Sequence, residues 1–123
     1  MKPLLLVTAA IEAGAGLALL GVPSRFAQLL FSAPLEGAIA LTVARVGGMG
    51  LLTLAVAAWF ASPDSQSRAA RGLASAMVLY NFGAALILGV AGLTLPSAGV
   101  LLWPVVLLHV GMAIWCVAQL LRG

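Results

Sequence analysis

Four stretches of this chain are almost continuously apolar, and each gap between them is marked by Pro, Ser or Asp. The stretches run roughly from Leu4 to Val22, Gly37 to Ala61, Ala69 to Leu93 and Gly99 to Leu121. Pro23 closes the first, Ser62-Pro63-Asp64 the second, and Pro96 follows the third. A helix that crosses a bilayer needs about 20 mostly apolar residues. Pro, Ser and Asp are residues at which such helices end. The pattern therefore predicts an all-α fold, a bundle of four transmembrane helices forming one domain over residues 1–123.

The first gap has a pattern of its own. Within Ser24–Phe31, Phe26, Leu29, Leu30 and Phe31 share one helical face, while Arg25 and Gln28 lie off it. This spacing predicts a short amphipathic helix over about residues 24–32, lying in the membrane interface with Ser24 as its N-cap. Pro34 separates it from the second span. The first span also has the outline of a secretory leader, with Lys2 before the apolar run and Ala13-Gly14-Ala15 as a cleavage-like site. Glu12 interrupts the run just before that site, so the span is expected to be kept.

Composition supports the membrane reading. Of 123 residues, 63% are hydrophobic and 7% charged, against about 45–50% apolar and about 25% charged in soluble domains. A soluble fold of this size could not cover so much apolar surface. The net charge is +3 from six basic and three acidic residues. No Lys/Arg cluster exists to track a phosphate backbone, so nucleic acid is not an expected partner. The basic residues do set an orientation. Lys2, Arg68, Arg71 and Arg122 fall on one side of a four-span layout and Arg25 on the other, which places both termini in the cytoplasm by the positive-inside rule. In a bacterial cell this is the inner membrane. Trp59 and Trp103 then lie near span ends, where interfacial aromatics belong.

The chemistry is carried by polar residues that do not belong in lipid. Each span holds one: Glu12, Arg45, Asn81 (beside Tyr80) and His109. At about 1.5 Å per residue, Glu12 lies about 13 Å from the start of its span and Arg45 about 12 Å from the opposite start of its own. A charge at such depth is costly unless paired. Opposite charges on successive spans predict a buried Glu12–Arg45 ion pair, flanked by Thr8 and Thr42, with Gly16 and Gly48 letting the helices approach. Such a pair either fixes helix register or makes Glu12 a titrating group or ligand anchor. His109 can bond Asn81 or Tyr80, relay a proton or bind a ligand; as a metal or haem ligand it lacks companions. The candidate ligand-binding or buried polar centre is thus Glu12, Arg45, Tyr80, Asn81 and His109, with no metal site and no assigned catalytic residue.

Small residues mark further expected packing faces: Ala10, Gly14 and Ala18; Gly47, Gly48 and Gly50; Gly72 and Ala76; and Ala85 and Gly89. Met49, Met77 and Met112 are read as packing residues. The single cysteine, Cys116, is read as a small apolar residue, since disulfide, CxxC and thiolate-metal chemistry need more than one. Nucleotide-binding loops, nucleophile elbows and HExxH are absent. No motif names a cofactor; haem and quinone are the two that the residues leave open.

The layout resembles the small bacterial four-helix membrane proteins of the DoxX-like group and related families of unknown function. The resemblance rests on Glu12 and Gly16 in the first span, on Leu19-Leu20-Gly21-Val22-Pro23 leading into Phe26 and Leu29-Leu30-Phe31, and on Ala44-Arg45-Val46-Gly47-Gly48. It implies a four-helix fold. For some members it also implies quinone-linked or thiol-related electron transfer, and for remoter relatives sterol binding; the lone Cys116 does not supply a redox thiol pair. It implies no catalytic residues. Three functions follow. The first is a binding or accessory subunit that holds a lipid-like or quinone-like molecule or supports a larger membrane complex. The second is an oligomeric transporter or channel with a Glu/Arg/His path. The third is an acid–base enzyme on a membrane-soluble substrate. The partners expected are the bilayer, a hydrophobic small molecule, and further copies or subunits.

Overall fold

The computed structural model describes residues 1–122. They form five helices: α1 (Lys2–Gly21), α2 (Pro23–Phe31), α3 (Ala38–Ala61), α4 (Arg68–Thr94) and α5 (Leu102–Leu121). Among the described residues there is no strand. The helices α1, α3, α4 and α5 are long and apolar enough to cross a membrane, and α2 is the short helix expected between the first two. At about 1.5 Å per residue, the 24 residues of α3 reach roughly 36 Å, more than a hydrocarbon core of about 30 Å. The outward faces are apolar: Ile39, Phe60, Leu79 and Ile87 are each at least 70% exposed. Side chains of this kind are stable against lipid and would not be against water.

The four spans pack as two antiparallel pairs, α1 with α3 and α4 with α5. In the first pair Gly16 lies against Gly48. A Cβ built on either glycine would stand 2.8 Å from the carbonyl oxygen of the other. Backbone approaches backbone, which only glycine permits, and close packing of this kind is what joins helices in lipid. Gly14, Gly47 and Gly50 face open space, and Ala10 is exposed. Within the predicted Ala10–Gly14–Ala18 stripe, Gly14 therefore makes no close approach to α3, and that role falls to Gly16. In the second pair Ala70, Ala74, Met77 and Asn81 make the buried stripe of α4, whereas Gly72 and Ala76 are exposed. The Arg71 guanidinium donates to the Leu120 carbonyl at 3.2 Å, placing a cation on the open C-terminal end of α5.

The two pairs meet near the start of α1. Leu4, Met77, Met112 and Cys116 form a buried cluster, with Ile11, Leu54 and Leu73 packed against it. Met49, by contrast, is exposed, so only two of the three methionines fill the core.

At the other end, α2 is built into the bundle by backbone bonds. Its N-cap is Val22, with Pro23 in the first turn. Ser24 instead turns its hydroxyl to the Leu35 carbonyl at 3.1 Å, because Pro23 already occupies the position that needs no N–H. Pro23, Ala27 and Leu30 are buried while Leu29 is exposed, so the buried face is rotated from the expected one. The carbonyls of Leu29 and Leu30 accept from the N–H groups of Leu101 (2.9 Å) and Gly99 (2.8 Å). The Ser32 hydroxyl donates to the Ala98 carbonyl at 3.1 Å. For this reason α5 begins at Leu102 and not at Gly99, since residues 99–101 lie along α2. A side chain at Gly99 would overlap the Leu29 carbonyl.

Gly16→Ala and Gly48→Ala are expected to destabilise the protein by about 1–3 kcal/mol through overpacking. Gly47→Ala and Gly50→Ala should instead be neutral or gain up to about 1 kcal/mol of helix propensity. Thermal unfolding of the four variants in one detergent distinguishes the two groups.

Candidate functional site

The pairs touch at one end and part toward α2, leaving a cavity of about 450 Å³ between them. Every helix contributes to its wall: Ile11, Glu12 and Leu19 from α1, Phe26 and Leu30 from α2, Leu51 from α3, Tyr80, Ala84 and Ile87 from α4, and Val105, Leu108 and His109 from α5. The polar groups are confined to Glu12, Tyr80 and His109. The volume lies in the range of small-molecule pockets, about 300–1,000 Å³, which are mostly apolar with few polar groups.

Helical spacing places these side chains. On α1, Thr8, Glu12 and Gly16 recur every four residues along the buried face. On α5, Leu102, Val106, His109, Met112 and Cys116 do the same at three and four. Glu12 is 3% exposed, Asn81 2% and His109 9%. The Tyr80 hydroxyl lies in the neighbourhood of the Glu12 carboxyl. The Tyr80 ring meets the His109 ring edge to face, with centroids 5.6 Å apart at 81°, a favourable arrangement of aromatic quadrupoles. Asn81 Nδ2 donates to the Met77 carbonyl at 2.8 Å, and its Oδ1 lies 2.8 Å from His109 Nδ1.

Four of the five predicted site residues therefore come together: Glu12, Tyr80 and His109 at the cavity, and Asn81 directly behind His109. Arg45 does not join them. It is exposed, and its Nε donates to the Leu20 carbonyl at 3.4 Å. The expected Glu12–Arg45 ion pair is absent among the described residues, and helix register is the reason. With Gly16 against Gly48 and Leu52, and Leu20 against Arg45, the level of Glu12 on α3 is close to Leu52. Arg45 is seven residues away, about 10 Å along the axis at ~1.5 Å per residue. Its guanidinium serves instead at the end of α1, where the last carbonyls lack intrahelical partners and a cation suits the helix C-terminus.

Sequence reasoning did not place Phe26, Leu30, Leu51 or Ile87 in a site. Phe26 and Leu30 did carry a signal, since both fell on the apolar face of the predicted interfacial helix. Leu51 and Ile87 carried none, because one apolar position in a span looks like the next until the helices are packed.

Comparison with protein families, with curated proteins and with solved structures finds no match to this chain. The class is set by the fold itself, a multi-pass helical membrane protein with an intramembrane cavity.

Thr8, one turn before Glu12, is 1% exposed, and its hydroxyl has no hydrogen-bond partner. A buried hydroxyl without a partner costs about 1–3 kcal/mol. Thr8→Val, which keeps the shape, is expected to leave the melting temperature in detergent unchanged or to raise it.

Proposed function

We propose that this protein is a small membrane binding protein whose cavity holds a hydrophobic small molecule, with the polar end of the ligand at Glu12, Tyr80 and His109. The observation that carries the reading is the cavity itself, apolar along its length and polar at one place. A post built only to fix helix register needs no open volume beside it. The ligand is lipid-like or quinone-like in character, with an apolar body suited to Leu19, Leu30, Ile87 and Val105. The protein acts alone, as a homo-oligomer, or as the accessory subunit of a larger membrane complex. Kinship with the DoxX-like group belongs to the same proposal, supported by the Gly16 and Gly48 positions and by the Pro23 exit into α2.

A second reading has its own support. Glu12, Tyr80 and His109 border one cavity, as acid–base chemistry on a membrane-soluble substrate requires. That reading assigns proton transfer to Glu12 or His109 and needs the same bound molecule.

The test is retention of a ligand. Native mass spectrometry of the protein released from lipid nanodiscs is expected to show a bound small molecule. Ala84→Phe, which fills the cavity from α4, should remove that mass while the helical circular dichroism is kept. Wild-type protein carrying no such mass, and gaining none from a membrane extract, would sink the proposal.

The proposed setting is a bacterial inner membrane with both termini in the cytoplasm, supported by the four-to-one distribution of basic residues. In a Cys116→Ala background, Arg122→Cys should react with an impermeant maleimide only after the cytoplasmic face is opened. Labelling of intact cells would reverse the orientation.

A further inference from the structure

The polar end of the cavity has a hydrogen-bond direction, and the backbone fixes it. The Met77 carbonyl can only accept, so the Asn81 atom 2.8 Å from it is the amide nitrogen. The other Asn81 atom is then the carbonyl oxygen, which also can only accept. His109 Nδ1, 2.8 Å from that oxygen, must therefore be the N–H of the ring. A neutral imidazole carries one N–H, which leaves Nε2 as a bare lone pair. No hydrogen bond to Nε2 is made among the described residues: the Asn81 bond is the one made by the ring nitrogens. Nor is Nε2 a sealed, orphaned atom, since Thr8 Oγ1 is the buried atom that lacks a partner. His109 lines the cavity. The chain from Met77 through Asn81 to His109 thus presents the cavity with a positioned acceptor.

We propose, building on the binding function above, that the cavity selects a hydroxylated amphiphile, one whose alcohol or phenol O–H donates to His109 Nε2 while its apolar body lies along the cavity wall. A ligand with only ether or carbonyl oxygens would set acceptor against acceptor there. Pockets built to bond a hydroxyl discriminate strongly against analogues that lack it, because the pocket atom is then left unpaired in an apolar site.

The test uses two probes of nearly equal size, 4-octylphenol and its methyl ether 4-octylanisole, added to the protein in lipid nanodiscs. Binding is read by native mass spectrometry and by the ¹⁵N resonances of His109. The phenol should bind about tenfold more tightly than the ether. His109→Phe, which keeps an aromatic ring against Tyr80, should abolish the difference; comparing the two proteins cancels the partitioning of each probe into lipid. In the wild-type protein the ¹⁵N spectrum should show Nδ1 protonated and Nε2 not, and the phenol should shift Nε2. Equal binding of both probes overturns the hydroxyl selection and leaves the binding function standing. An Nε2–H tautomer or an imidazolium overturns it independently of any variant. Failure of both probes to bind overturns the hydroxyl selection, and ligand retention in the Ala84→Phe experiment decides the broader function separately.

Discussion

The contact of Gly16 with Gly48 sets the geometry of everything above it. Two helices in lipid gain little from burying apolar side chains against each other, because the tails around them are equally apolar. They gain from close approach, and this pair approaches until neither glycine leaves room for a Cβ beside the other's carbonyl oxygen. The crossing fixes both the distance and the register of α1 against α3. Register then decides that Glu12 lies level with Leu52, far from Arg45, and that Glu12 faces the second helix pair. A crossing displaced by one turn would move each of these side chains by about 5.4 Å.

The two pairs obey different constraints at their two ends. Near the start of α1, Leu4, Met77, Met112 and Cys116 close the gap with side chains. Toward α2 the gap is left open and walled by residues from all five helices. The polar groups stand where the packed half gives way to the open half. They are held from behind, His109 by Asn81 and Asn81 by the backbone of its own helix, so the site does not rely on solvent for its orientation. Such preorganisation leaves less freedom to be lost when a ligand binds.

The number of spans, their approximate limits and the short helix between the first two were legible in the sequence, because each rests on a local pattern of apolar length and punctuation. Glu12, Tyr80, Asn81 and His109 were legible as well, since a polar residue within a long apolar run stands out wherever the run folds. The pairing of Glu12 with Arg45 was not. Depth measured from span ends assumes that every span is centred alike, whereas α3 extends beyond the end of α1 and carries Arg45 toward the α1 C-terminus. The start of α5 was misplaced for a related reason. Residues 99–101 are as apolar as the span after them, and only the free carbonyls of Leu29 and Leu30 divert them from the helix.

That last contact has a bearing on how the protein is made. Leu29 and Leu30 are satisfied by N–H groups some seventy residues further along the chain. During synthesis α1, α2 and α3 leave the ribosome well before Gly99 exists, so the Leu29 and Leu30 carbonyls of α2 are without these partners until then. The walls that α4 and α5 give the cavity are in place only when the second hairpin arrives. Assembly of the cavity is therefore the closing step of folding, and a chain truncated before residue 99 would have both glycines of the α1–α3 crossing yet lack the wall formed by Val105, Leu108 and His109.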